Sequence, residues 1–162
     1  MSTDSPPSTQ TEPFFQRHAW IVPAALSVIF LLFGIGDLML GQDADPAIVE
    51  SLTGIAWEEL QATTPAPAYA IDLGVRAGGQ QLIVIGILSL AIVLKAFRPG
   101  QRWAWWVMWI WPLWMAGIFL LLFTADRQPG WPAPPPLISS VVLFIFALLA
   151  QVLSYRKFFP AR

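Results

Sequence analysis

Four long, nearly uninterrupted apolar runs decide what this chain can fold into. They are Ala19 to Gly41, Tyr69 to Phe97, Trp103 to about Ala125, and Leu137 to about Tyr155. Each is long enough to cross an apolar layer of about 30 Å at about 1.5 Å per residue. Inside such a layer no water can satisfy the backbone, so a span must be a helix or part of a closed barrel. The apolar residues are contiguous and do not alternate, which predicts helices. The expected fold is all-α: an integral membrane, antiparallel four-helix bundle. Residues 1–18 are expected to be a disordered cytoplasmic tail, 19–155 the four-span membrane domain, and 156–162 a second cytoplasmic tail. The first run exceeds a signal-peptide core and has no clean small-x-small cleavage site, so it is read as a retained span.

Composition supports this reading and removes several functions. Of 162 residues, 56% are hydrophobic and only 12% charged, where a soluble domain carries roughly a quarter charged residues. A net charge of −1 excludes a polybasic nucleic-acid binder. No cysteine is present, so disulfides, thiolate metal sites and cysteine-dependent quinone reduction are excluded. The single histidine, His18, cannot supply paired haem ligands or a His-rich metal site. Neither a metal nor a cofactor is expected, and no nucleophile pair for catalysis can form within the bilayer.

Charge orients the spans. Arg17, Lys95, Arg98, Arg102, Arg156, Lys157 and Arg162 fall on one side of a four-span arrangement. The opposite side holds Asp43, Asp45, Glu50, Glu58, Glu59, Asp72 and Asp126, with Arg76 and Arg127. The positive-inside rule then places both termini in the cytoplasm of a prokaryotic inner-membrane protein.

The connection from Gln42 to Ala68 is the only sizeable polar segment. Asp45-Pro46 offers an N-cap and a first-turn proline. Ile48, Leu52, Ile55, Ala56 and Leu60 then recur at helical spacing. Thr63-Thr-Pro-Ala-Pro67 stops the pattern, and Gly54 allows a break, with Thr53 capping a second helix from Ile55. An amphipathic helix or helix pair on the outer surface is predicted between spans one and two, with Trp57 at headgroup depth. On the other side Arg98-Pro-Gly-Gln-Arg102 fits a type II turn. Ser139 and Ser140 are read as capping the fourth span.

The candidate site is polar. Asp72, Arg76 and Gln80 share one stripe of the second span. Arg76 lies 19 steps from Lys95, or about 28 Å of helix, which sets it near the outer interface. Asp37 of the first span reaches a similar depth, so Asp37 and Arg76 can meet if those spans are neighbours. Ligand-binding candidates are therefore Asp37, Asp72, Arg76 and Gln80. Two readings are open. One is an ion pair that fixes helix packing; the other is an outward pocket for a small anion, a lipid headgroup or a quinone-like molecule. Gly74 and Gly78 are spaced for close helix approach. Six of nine tryptophans fall between Trp103 and Trp114, the first ones suiting an interface belt. Pro112 frees the carbonyl of Met108, an acceptor for an indole N–H.

Gly34-Ile-Gly-Asp-Leu38, Leu52-Thr-Gly-Ile-Ala-Trp57, Arg76-Ala-Gly-Gly79 and Arg102-Trp-Ala-Trp-Trp106 resemble motifs of uncharacterised small membrane proteins in the broad DoxX-like four-helix assemblage. The resemblance spans roughly residues 20–125 and implies the four-helix fold. The leading expectation for function is a non-catalytic accessory or small-ligand- or lipid-binding protein using the outer polar cluster. The alternative implied by the resemblance is a DoxX-like subunit handling quinone or another lipophilic redox molecule. The partners expected are the bilayer itself and a lipid, quinone or protein; the oligomeric state is open.

Overall fold

The computed structural model describes residues 14–124 and 135–160. Among the described residues all regular structure is helical, and four helices are long and apolar enough to cross a membrane: Ile21–Ala44, Pro65–Phe97, Arg102–Thr124 and Ser139–Phe158. That is the make-up of a multi-pass membrane protein. Large apolar side chains such as Leu32, Phe33, Val84, Leu88, Leu120 and Phe123 point outward, which costs nothing when the surroundings are hydrocarbon. The expectations for residues 1–13, Asp126, Arg127 and Arg162 lie outside the described residues.

The tail expected to be disordered through residue 18 carries a short helix, α1 (Phe14–His18), which packs on the last helix. The most extensive helix–helix contact is between α2 (Ile21–Leu40) and α5 (Pro65–Ile92). Its cause is glycine. A Cβ on Gly34 would lie 2.7 Å from the Gly79 carbonyl oxygen, and one on Gly79 would lie 2.7 Å from both Gly34 O and Leu38 N. The two backbones therefore touch, as small residues in membrane helices permit. Further along the seam Gly86 packs on Leu31 and Ser27, and the buried Ser27 and Ser89 hydroxyls are 2.9 Å apart. Gly74 and Gly78, the pair singled out by spacing, would each have nothing within 4 Å of an added Cβ. Their spacing suits close approach, but those two glycines lie on another face.

α5 begins at Pro65, four residues before the apolar run opens. Proline at the first helical position loses no intrahelical bond, so Thr63-Thr-Pro-Ala-Pro67 ends one helix and starts the next. Between α2 and α5 the chain makes a 3₁₀ turn (Gly41–Ala44) and two short helices, α3 (Ala47–Thr53) and α4 (Trp57–Thr63). The helix pair and its break match the sequence reading, since Gly54 is left-handed at φ 73°. Its details differ. The Asp45 side chain makes no cap, and Thr53 Oγ1 accepts from the Ile55 amide while α4 starts only at Trp57. Trp57 is buried at 3% exposure against Val49 and Ala68, and its indole N–H donates to Asp43 Oδ1 at 2.6 Å. It is a core residue of this layer.

The basic end is built from aromatics and cations. A π-helical turn (Val93–Phe97) closes α5, with the Arg98 amide donating to Val93 O. Gly100 has φ +88°, and the Gln101 amide reaches back to Ala96 O. The glycine thus ends a helix in a Schellman-like manner and does not form the type II turn. Next come α6 (Arg102–Val107), α7 (Ile110–Thr124) and α8 (Pro135–Phe158). The break at Met108–Trp109 is the local effect of Pro112: Met108 O, deprived of its usual donor, accepts from the Trp111 amide instead of an indole. Trp103 and Trp106 are exposed as a belt requires, but Trp105 is buried and donates to Gln151 O. Lys157 Nζ donates to Arg98 O and Arg102 Nε to Phe158 O, tying α8 to the turn. Because α8 starts at Pro135, Ser139 and Ser140 lie inside it and not at its cap.

Candidate functional site

The acidic end of α2 and α5 holds the candidate residues, and the structure sorts them into two groups. Asp72 and Arg76, one helical turn apart on α5, form the first. Arg76 Nε–H donates to Asp72 Oδ2 at 2.7 Å. Its Nη1 group meets Leu38 O and Met39 O, each at 3.0 Å. Asp72 Oδ1 accepts from the Gln42 amide at 2.9 Å. The pair therefore closes the C-terminus of α2, where carbonyls are unmatched and the helix dipole is negative. A guanidinium suits that place because its rigid fork reaches a carboxylate and two carbonyls together.

Gly41 makes this arrangement possible. It has φ +62°, and a Cβ there would fall on Asp72 Oδ1. The chain leaves α2 in a left-handed conformation that only glycine adopts without strain, and so delivers the Gln42 amide to Asp72.

Asp37 does not join this group. Its side chain lies next to Gly79 in the contact with α5 and borders a cavity of about 310 Å³. Asp45, Gln42 and Gln81 contribute the other polar walls; Ile48, Val75, Leu82 and Trp114 contribute apolar ones. Gln80, predicted from its stripe, is exposed and borders neither group, whereas its neighbour Gln81 lines the cavity. Sequence reasoning missed Gly41, Gln42, Asp45, Gln81 and Trp114. The one signal available was the acidic run Gln42-Asp-Ala-Asp45 following directly on the end of an apolar helix.

Burial pushes the Asp45 carboxyl above its ordinary value of 3.8. The protonated form is then favoured by the fold, so this group's contribution to stability is full below the ordinary value and is lost as pH rises through the raised one. Replacing Asp45 by Asn is expected to raise the thermal midpoint at neutral pH and to leave it unchanged near about pH 3. Thermal unfolding of the detergent-solubilised chain followed by circular dichroism checks this; equal shifts at both pH values would rule it out.

Among the described residues no group of three or more His, Cys, Asp and Glu side chains is placed to hold a metal ion. No protein-family model matches the chain, and comparison with curated proteins and with solved structures gave no match.

Proposed function

We propose that this chain is a non-catalytic binding or accessory protein that holds a small amphiphilic ligand, a free molecule or a lipid headgroup, at the outer leaflet of a prokaryotic inner membrane. Its four long helices are read as an antiparallel bundle with both termini cytoplasmic. The grouping of Lys95, Arg98, Arg102, Arg156 and Lys157 at one end supports that orientation. Kinship with the DoxX-like assemblage belongs to the same proposal and concerns the arrangement of helices only.

The observation that carries the binding reading is the cavity of about 310 Å³ beside Asp37. Its size is at the lower end of small-molecule pockets, which run from about 300 to 1,000 Å³. It combines a few polar groups with apolar and aromatic walls, the usual make-up of a ligand site. The Asp72–Arg76 group, by contrast, is bonded through Nε, Nη1 and Asp72 Oδ1 to its own ion pair, α2 and the turn after it, which favours a packing role.

The test is to purify the chain in a mild detergent and identify co-purifying molecules by mass spectrometry. A non-redox amphiphile in stoichiometric amount is the expected result. Stoichiometric quinone would overturn this reading in favour of a redox subunit.

A further inference from the structure

We infer that the occupant of the cavity beside Asp37 is an organic cation: an alkylammonium group on an apolar body. This deepens the proposed binding role and rests on it.

The cavity's polar lining is rich in acceptors. Asp37 and Asp45 both border it. Gln42, at 3% exposure, borders it too. Its side-chain nitrogen donates to Asp45 O at 2.6 Å, and among the described residues no donor meets its side-chain oxygen. An amide oxygen on the wall can accept from a donor carried by an occupant.

Among the described residues no cation borders the cavity. Arg76 is the nearest by sequence and depth, but it is not part of the cavity wall, and its Nε and Nη1 groups are committed to Asp72, Leu38 O and Met39 O. Lys95, Arg98, Arg102 and Lys157 are at the far end of the helices. An anion entering this space would meet two carboxylates and, among the described residues, no counter-charge on the wall.

The chemistry of the wall also decides what kind of cation fits. Two carboxylates are too few oxygen ligands to strip the water from a hard metal ion, which takes six or more oxygens. Leu82, Val75 and the Trp114 indole form a surface for hydrocarbon, and an indole face attracts ammonium groups. An ammonium group can donate to or pair with the acidic side while its apolar body lies on the other. An amine-bearing lipid headgroup and a free cationic amphiphile share this chemistry.

The experiment uses the full chain in dodecyl maltoside with three probes of equal chain length: octyltrimethylammonium, octane sulfonate and octanol. Binding is read by isothermal titration calorimetry. Octyltrimethylammonium is expected to bind saturably at one per chain, and Asp37→Asn to weaken it about tenfold. Asp45→Asn, outside the long helices, should weaken it in the same direction and carries the test if Asp37→Asn does not fold. Equal binding of the sulfonate or of octanol would overturn the cationic assignment while leaving a ligand-binding cavity in place. Wild-type affinity in both variants would overturn it too. Failure of all three probes would remove the cavity's binding role altogether. Native mass spectrometry from vesicles of phosphatidylethanolamine and phosphatidylglycerol then separates the two sources. Retention of phosphatidylethanolamine that the ammonium probe displaces identifies a headgroup; probe binding without retained lipid identifies a free amphiphile.

Discussion

Replacing Gly79 by alanine is expected to force α2 and α5 apart. The added Cβ would lie 2.7 Å from Gly34 O and from Leu38 N, and 2.8 Å from Asp37 Cβ. The first two are backbone atoms of α2, so no side-chain rotation relieves the clash. Overpacking of this kind typically costs about 1–3 kcal/mol, and a rigid helix backbone on the receiving side places it at the upper end. Gly34→Ala should behave alike, because its Cβ would meet Gly79 O at 2.7 Å and Ile83 N at 2.8 Å. Gly74→Ala and Gly78→Ala are the controls. Both positions have open space at the Cβ, so each should be neutral or stabilise by up to about 1 kcal/mol through helix propensity. Thermal unfolding of the four variants in one detergent decides the matter. Four equal midpoints would mean that α2 and α5 do not pack through Gly34 and Gly79.

The second large effect is expected at Arg76. Arg76→Leu leaves Asp72 without its ion pair and Leu38 O and Met39 O without a donor. Hydrogen bonds to charged groups contribute about 1.5–3 kcal/mol each when sheltered. Here the Arg76 side chain is 37% exposed and that of Asp72 is 23% exposed, so solvent screening brings the expected total loss to about 2 kcal/mol. Arg76→Lys should recover less than half of it, because a single ammonium cannot reach the carboxylate and both carbonyls in the same geometry. The check is the thermal midpoint together with proteolysis between Gly41 and Pro46, which should become faster in Arg76→Leu. Full recovery by lysine would show that charge alone matters, not the fork.

Much of the helical layout could be read directly because its cause is local. Contiguous apolar residues dictate long helices, Gly54 dictates a break, and Pro112 disturbs the helix one turn before it. What could not be read depends on rotation of one helix against another. Asp37 and Arg76 do reach the same end of their helices, but a difference in facing sends Arg76 to the α2 carbonyls and Asp37 to the cavity. The same uncertainty chose Gln80 over Gln81, adjacent residues about 100° apart around the helix axis. It also chose Gly74 and Gly78 over Gly34 and Gly79, since spacing identifies a face without saying what lies against it. The contacts of Trp57 were hidden for a different reason. An aromatic at a polar boundary suits lipid headgroups, and only the positions of Asp43, Val49 and Ala68 show that a protein partner was available.

The tryptophans give the two ends of this molecule separate optical signatures. Trp105 sits edge-on to Trp106 and Trp109, with ring centroids 4.8 and 5.8 Å away at interplanar angles of 84° and 79°. Indoles held so near one another couple their electronic transitions and give a near-ultraviolet circular dichroism band that vanishes when the spacing is lost. Trp114 stands apart on the cavity wall, where its emission responds to whatever enters. A Trp114→Phe variant then isolates the part of the total tryptophan emission that reports on the acidic end, while the coupled indoles report on the basic one.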